Sequence, residues 1–214
     1  MKAITVPADL IRRYPELSVV EVEIAKAAEC LVRCFSNSGK LLICGNGGSS
    51  SDAGHIAGEL MKGFEHRRPL GEALAGRLSA YGERGKYIAS KLQQGFPVIS
   101  LSAHTVLMTA VANDIDPDLV FAQQVGVYGN KGDVLLAIST SGNSKNIIDS
   151  IITASAKEMT VIGMTGETGG AMKAKCDILI NVPGTRTSAV QELHLPVYHA
   201  ICLMVENYFF SSKS

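Results

Sequence analysis

The chain has 214 residues, of which 46% are hydrophobic and 19% are charged, and its formal net charge at pH 7 is zero. This composition is that of an ordinary folded protein with a full-sized core, and it argues against a disordered chain. A zero net charge gives no electrostatic reason to expect nucleic acid or an anionic membrane surface as a partner. Any bound anion therefore has to be held by local groups.

The cysteines and the N-terminal segment bear on the cellular compartment. The five cysteines are odd in number and mostly lie in apolar context, which favours reduced core thiols in a cytosolic protein. The N-terminal segment has no long apolar stretch, and no run of about 18 apolar residues occurs in the sequence. We therefore expect neither export nor a membrane span, and we predict a cytoplasmic location.

Apolar periodicity predicts helices that alternate with short strands along the chain. The N-terminal helix is predicted over residues 19–38, the first strand over 41–44 and the next helix over 49–64. The segment 71–94 has a helical pattern weakened by glycines, which indicates two short helices or one interrupted helix. Further strands are predicted at 97–102, 133–139, 160–165 and 177–182, and further helices at 105–112, 119–128, 145–157, 172–175 and 187–210.

The predicted strands are continuous apolar runs rather than alternating ones. This pattern is typical of a parallel sheet covered by helices on both faces, so we predict one α/β domain over residues 1–214. Ligands bind such sheets beyond the carboxyl ends of the strands. We therefore expect two loops to face the same crevice: GNGGSSS at 45–51, after the first strand, and STSGNS at 139–144, after the third.

The STSGNS loop is the stronger candidate for an anion site. Its hydroxyl side chains and the free backbone N–H groups of the following helix can hold a phosphate dianion without a formal cation. A helix cap and turn is the alternative, but it needs only one or two such residues. The loop supplies more hydrogen-bonding side chains than a cap requires, including Ser139, Thr140, Ser141 and Ser144.

The GNGGSSS loop is a weaker signal when taken alone. Its glycines fall at positions 45, 47 and 48, so neither the GxGxxG dinucleotide fingerprint nor a P-loop pattern is met. A tight turn between a strand and a helix would explain these glycines equally well.

Polar residues on two predicted helices are candidates for metal or proton chemistry. His55 and Glu59 lie one helical turn apart and share a face, although such a pair is more often a surface contact than a ligand pair. Polar residues within an apolar helix are unfavourable unless they have partners, so a core hydrogen-bond network or contacts between subunits also fit the C-terminal helix. That helix carries four within nine positions: Gln191, Glu192, His194 and His199.

Four segments together resemble the phosphoheptose (sedoheptulose-7-phosphate) isomerases of the sugar-isomerase (SIS) domain superfamily. They are CGNGGSSSDAGHIAGEL at 44–60, the pair Asn113-Asp114, STSGNS, and QELHLPVYH at 191–199. STSGNS marks only the superfamily, whereas its combination with HxxxE and QExHxxxxH is much more specific. The resemblance extends from about Ala27 to the C-terminus, with one interruption at 71–94.

The resemblance implies a fold, an activity and a set of site residues. The fold is a flavodoxin-like three-layer αβα sandwich with a five-stranded parallel sheet and long terminal helices, usually in a homotetramer with shared active sites. The activity is isomerisation of sedoheptulose 7-phosphate to D-glycero-D-manno-heptose 7-phosphate, with one zinc ion expected per subunit. The zinc ligands implied are His55, Glu59, Gln191 and His199. The substrate contacts implied are Asn46, Gly47, Gly48, Ser49, Glu59, Asn113, Asp114, Ser139, Thr140, Ser141, Ser144 and Gln191.

The chemistry of such an isomerase matches these residue types. Ketose–aldose interconversion moves a proton between C1 and C2 through an enediol(ate) and exchanges a proton at oxygen. We expect Glu59 to act as the base at carbon and His199 as its acid/base partner, and the reversed assignment stays open. A divalent metal would polarise the carbonyl and stabilise the enediolate.

The chain also departs from the family pattern. Many members carry an arginine where this chain has Lys62-Gly63-Phe64, and Asp-Arg where it has Ser188-Ala189. The insertion at 71–94 is either a surface or oligomer contact, which we favour, or a basic lid that restores the missing charge. Two other functions therefore stay open: a non-catalytic binding protein, such as a replication-initiator partner, and an isomerase of another phosphosugar.

Overall fold

Five strands form one parallel sheet in the computed structural model of the protein, which describes residues 4–211. The strands are β1 (Leu41–Gly45), β2 (Val98–Ser100), β3 (Val134–Ile138), β4 (Thr160–Thr165) and β5 (Ile178–Asn181). They lie in the order β2-β1-β3-β4-β5, and every neighbouring pair is parallel. This flavodoxin-like order reverses direction between β1 and β3, which is where such sheets bind ligands. The predicted α/β fold and its flavodoxin-like sheet are confirmed.

The described part of the chain contains nine α-helices, and helices pack on both faces of this sheet. Side chains alternate across a strand, so β1 sends Leu41 and Ile43 to one core and Leu42 and Cys44 to the other. The helices are α1 (Ala8–Arg13), α2 (Glu21–Ser36), α3 (Gly48–Met61), α4 (Glu72–Ser79), α5 (Gly82–Lys91), α6 (Thr105–Asp114), α7 (Ala122–Tyr128), α8 (Lys145–Ala156) and α9 (Thr187–Phe210). None of the helices within residues 4–211 is long and apolar enough to cross a membrane.

Several predicted helix bounds are wrong. The helix predicted over 19–38 is α2, which begins at Glu21 after a 3-10 turn at Pro15–Val20 and ends at Ser36. The helix predicted over 49–64 ends three residues early at Met61, where Lys62 turns to extended backbone. The helix predicted over 119–128 is α7 alone, preceded by a 3-10 turn that Asp116 caps through the N–H of Asp118. Local capping and turn chemistry therefore decides these ends.

Two further differences concern short helices and the chain ends. The segment predicted as a helix over 172–175 is a 3-10 turn at Gly170–Ala174. Helix α1 is not predicted from periodicity, because six residues are too few to show a pattern. The assignment of residues 1–214 to one domain stays a prediction, since 1–3 and 212–214 lie outside the described residues.

The insertion at 71–94 is a helical hairpin appended to the fold. Helices α4 and α5 meet at Gly82, whose positive φ of 72° suits glycine. In these two helices only Gly85 is buried, and apolar side chains such as Leu74 and Tyr81 are exposed. The two ends of the hairpin are held together by an isolated bridge between Pro69 and Gln93. The insertion therefore adds surface without adding to the core.

A buried ion pair ties the end of α3 to α9. Arg68 and Glu206 are both fully buried, and Arg68 Nε donates to Glu206 Oε1 at 2.8 Å. The same guanidinium donates to the carbonyl of Leu60 at 2.8 Å, a helix-end carbonyl that also accepts the N–H of Phe96. The Glu206 carboxylate also accepts the backbone N–H groups of residues 64, 65 and 66. Burial raises the pKa of Glu206, but these donors outweigh it and lower the pKa overall.

Substitution of Arg68 should destabilise the fold strongly. Arg68→Met leaves the Glu206 carboxylate buried without its cation, which typically lowers the free energy of unfolding by about 3–5 kcal/mol. Urea unfolding at pH 7 measures the change. The matched control is Lys131→Met, which breaks the exposed pair of Lys131 and Glu158 and should change stability by less than about 1 kcal/mol. Equal effects in the two variants would contradict a special role for the buried pair.

Candidate active site

The loops after β1 and β3 lie side by side at the carboxyl edge of the sheet, because these two strands are neighbours. After β1 the backbone turns at Gly47, whose φ of +55° is a conformation that favours glycine, and α3 begins at Gly48. Ser49 is buried in the first turn of α3, and its N–H donates to the carbonyl of Asn46. The two loops are therefore neighbours, as predicted.

The STSGNS loop leads from β3 into α8 and leaves hydrogen-bonding groups available. Ser139 Oγ and Ser144 Oγ are 3.0 Å apart, and Thr140 follows Ser139 into the loop. Ser141 Oγ accepts the N–H of Asn143 at 3.2 Å, which shapes the turn. No side chain caps the start of α8, so N–H groups of its first turn remain available to another acceptor. This arrangement suits an anion such as a phosphate.

Asparagine side chains join the two loops. The amides of Asn46 and Asn146 exchange two hydrogen bonds, of 2.9 and 3.0 Å. Asn46 is among the predicted substrate contacts, whereas Asn146 is not. The signal for Asn146 in the sequence is its position just after STSGNS, on the first turn of α8.

Helices α3 and α9 bring together His55, Glu59 and His199. His55 Nε2 lies 3.2 Å from Glu59 Oε1, and the rings of His55 and His199 meet edge to face with centroids 5.0 Å apart. His199 Nε2 is buried without a hydrogen-bond partner. Burial lowers the pKa of His199, and the neighbouring His55 lowers it further against the opposing effect of Glu59. The imidazole of His199 is therefore favoured in its neutral form.

Glu59 presents its two oxygens to different neighbours. Oε1 faces His55, whereas Oε2 lies 3.3 Å from Lys62 Nζ. Lys62 thus supplies a cation to this carboxylate one residue before the position where many family members carry arginine. The side chain of Lys62 is 57% exposed, so solvent screens this pair.

Gln191 lies at the start of α3. A Cβ added to Gly48 would come within 2.4 Å of Gln191 Nε2, so the Gln191 amide occupies the space that a side chain at Gly48 would take. Gly48 precedes His55 by seven residues, about 10 Å of helix. The structure therefore places Gln191 beside the GNGGSSS loop, between the phosphate-type loop and the histidine pair.

The side chains that the resemblance assigns to zinc have donor atoms that suit this ion. They do not, however, converge on one position at coordination distance. Zinc holds nitrogen and oxygen donors at about 2.0–2.2 Å, so two donors at a tetrahedral angle lie roughly 3.4 Å apart. The 3.2 Å between His55 Nε2 and Glu59 Oε1 is close to that spacing. Across residues 4–211, however, no three His, Cys, Asp or Glu side chains form a group able to hold a metal. The buried, unpartnered Nε2 of His199 is the observation that suits a ligand role.

Two residues that the sequence reasoning missed lie behind His55. Tyr198 OH is 2.9 Å from His55 Nδ1 and donates to Asp52 Oδ1 at 3.4 Å. Burial raises the pKa of Asp52, opposed by the hydrogen bond from Tyr198 and the charge of His55. Burial also raises the pKa of Tyr198, and the Asp52 carboxylate raises it further.

Other polar candidates lie apart from this cluster. His194 is fully buried and its Nε2 lies 3.4 Å from the carbonyl of Thr165, so it belongs to the core beside β4. Burial lowers the pKa of His194 to about 4. Asn113 and Asp114 are exposed in the last turn of α6, and four residues further on Asp118 accepts a hydrogen bond from Lys145, the residue that follows the STSGNS loop. Asn113 donates to Asp114, and no side-chain bond in the described chain links this pair to the crevice.

Comparisons with known proteins give one family from both sequence and structure. A family model described as SIS domain matches residues 17–98 and 88–166. The phosphoheptose isomerase of Laribacter hongkongensis is 41% identical over 193 residues, which cover 89% of this chain and 86% of the relative. The solved phosphoheptose isomerase of Neisseria gonorrhoeae superposes with a TM-score of 0.74 at 34% identity, with 94% of both chains covered. That of Francisella tularensis gives a TM-score of 0.76 at 31% identity, with 91% of both chains covered.

The sheet order, the uncapped helix after β3 and the family match define a SIS-domain protein. Within that class, the chain belongs to the phosphoheptose isomerase family. It is accordingly an enzyme of the aldose–ketose isomerase class.

Substitution of Gly48 should disturb the site without unfolding the protein. The new Cβ of Gly48→Ala would displace the Gln191 amide, and such a misplacement typically lowers turnover by roughly 10- to 100-fold. Gly58→Ala is the matched control on the same helix, because its Cβ would meet open space. The control should keep its turnover and gain up to about 1 kcal/mol of stability. Isomerase assays and thermal unfolding measure both variants, and wild-type turnover in Gly48→Ala would contradict this placement of Gln191.

Proposed function

We propose that the chain converts sedoheptulose 7-phosphate to D-glycero-D-manno-heptose 7-phosphate. The relatives at 41% and 37% identity are named phosphoheptose isomerases, which supports this substrate class. The observation that carries the proposal is the meeting of Glu59, His55 and His199 at the α3–α9 contact. A carboxylate and a neutral imidazole are the two groups that an enediol(ate) mechanism needs.

The phosphate anchors the substrate in this mechanism. The hydroxyls of the STSGNS loop and the free N–H groups of α8 bind the phosphate, and the partial positive charge of the helix N-terminus favours the dianion. Anchoring one end of the sugar confines its other end, where C1 and C2 react, to the neighbourhood of the α3–α9 contact. Positioning of this kind lowers the entropic part of the barrier.

Glu59 and His199 divide the proton transfers. Glu59 removes the proton from one carbon and returns it to the other, while His199 exchanges a proton with the substrate oxygens. The lowered pKa of His199 favours a neutral ring, whose unprotonated nitrogen can accept a proton while it holds no metal ion. The two oxygens of Glu59 face His55 and Lys62 respectively, so a carboxylate engaged through Oε1 keeps Oε2 for proton transfer.

Zinc is the metal that we assign to this site. His55, Glu59, Gln191 and His199 would hold it, and when bound it would polarise the substrate carbonyl and stabilise negative charge on the enediolate oxygen. The donor types and the spacing of His55 and Glu59 support the assignment. Because the four side chains are not assembled in the described arrangement, they have to move towards one another on binding.

The oligomer and the compartment complete the proposal. We infer a homotetramer with shared active sites, as the resemblance to the phosphoheptose isomerases implies. Two exposed apolar side chains support an oligomer contact: Val19 in the 3-10 turn before α2, and Val22 in the first turn of α2. The five free cysteines support a cytoplasmic location.

The substrate proposal is tested with the zinc-loaded protein and a panel of ketose phosphates. Sedoheptulose 7-phosphate, fructose 6-phosphate and ribulose 5-phosphate are incubated separately, and the products are followed by NMR. We expect the heptulose to be converted and the shorter sugars to react far more slowly. Turnover of another sugar alone would overturn the substrate, and turnover of none would overturn the proposed function.

Variants of the two proton-transfer residues test the mechanism. Glu59→Gln and His199→Ala should each lower kcat by about 10²- to 10⁴-fold, which is the usual contribution of general acid–base catalysis. Glu83→Gln, on the exposed hairpin, is the control and should match wild type. Substantial activity in either site variant would remove that residue from the proton-transfer pair.

A further inference from the structure

We propose that Tyr198 and Asp52 are positioning residues that orient His55 and hold its Nδ1 proton, so that Nε2 is the ring nitrogen that binds zinc. This inference rests on the proposed function, because it requires that His55 is a zinc ligand. It adds Asp52, one helical turn before His55, and Tyr198, which lies 143 positions away from it in the sequence.

The geometry places Tyr198 between the other two side chains. Its hydroxyl oxygen lies 2.9 Å from His55 Nδ1 and 3.4 Å from Asp52 Oδ1. Asp52 and His55 are three residues apart on α3 and share one face of that helix. Tyr198 comes from α9 and is only 2% exposed, so its hydroxyl reaches α3 inside the helix contact. The Tyr198 ring also meets the His55 ring edge to face, with centroids 5.5 Å apart.

The direction of the hydrogen bonds follows from the donor count. A carboxylate can only accept, so the single hydroxyl proton of Tyr198 goes to Asp52. The Tyr198 oxygen is then left as an acceptor for the proton on His55 Nδ1. With Nδ1 protonated, the lone pair of a neutral His55 lies on Nε2, which faces Glu59 Oε1 at 3.2 Å. The two hydrogen bonds, from His55 to Tyr198 and from Tyr198 to Asp52, therefore direct His55 Nε2 towards Glu59, the second proposed ligand.

This series of hydrogen bonds is a longer form of the arrangement that commonly supports histidine ligands in metal sites. A histidine ligand usually donates its other N–H to a carboxylate or carbonyl, which fixes the ring and raises its basicity. Here a tyrosine stands between the histidine and the carboxylate. Asp52 Oδ2 is buried without a hydrogen-bond partner, so the carboxylate interacts chiefly with Tyr198.

The test compares zinc affinity in Tyr198→Phe, Asp52→Asn and wild type by competition with a chromophoric chelator at pH 7. Tyr198→Phe keeps the buried ring and removes only the acceptor, so zinc should bind about 10- to 100-fold more weakly. Asp52→Asn keeps an oxygen that accepts from Tyr198, so its loss should be smaller. The matched control is Tyr208→Phe, on the same helix beside Phe209, which should bind zinc as wild type does.

A spectroscopic readout separates positioning from general weakening of the fold. In zinc-loaded protein labelled with ¹⁵N-histidine, wild type should show a protected Nδ1–H signal from His55, and Tyr198→Phe should lose it. Thermal unfolding identifies a variant that fails to fold, in which case Asp52→Asn decides the question alone through its affinity and its Nδ1–H exchange.

The outcomes distinguish this inference from the proposed function. If wild type binds zinc and both variants bind it equally well with the Nδ1–H signal unchanged, the positioning role is wrong and the zinc site stands. If wild type itself binds no zinc, the metal part of the proposed function fails, and this inference fails with it. Weaker zinc binding with loss of the Nδ1–H signal supports both.

Discussion

The contact between α3 and α9 is the feature on which the site depends. Each helix provides two of the four proposed zinc ligands: α3 provides His55 and Glu59, and α9 provides Gln191 and His199. The buried pair of Arg68 and Glu206 holds the end of α3 to α9, since it joins the helix-end carbonyls to a carboxylate two turns beyond His199. A charge pair that is costly to bury is tolerated here because every polar atom around it has partners.

The fold could be predicted from the sequence because its determinants are local. Strand β4 and helix α9 have the predicted bounds, Thr160–Thr165 and Thr187–Phe210, since each is an apolar run bounded by turn residues. The helix ends that were missed depend on single capping contacts, such as Asp116 with Asp118. Periodicity carries no information about these contacts.

The candidate site could be predicted only in part, because it depends on which turn of one helix faces which turn of another. Spacing along α3 puts His55 and Glu59 on one face, as the structure has them. It says nothing of Tyr198, whose hydroxyl reaches His55 from 143 positions away. For the same reason spacing does not reveal that Asp118, which follows α6, pairs with Lys145 beside the STSGNS loop.

The paired amides of Asn46 and Asn146 fix the direction in which Asn46 presents its remaining polar groups. Each amide donates one N–H to the other and accepts one hydrogen bond from it, which leaves one N–H and one lone pair free on each side chain. A sugar can therefore bind Asn46 while the pair stays intact. Discrimination between sugars can then arise partly from how well the hydroxyls of each one match these fixed groups, in addition to how well it fits the phosphate loop.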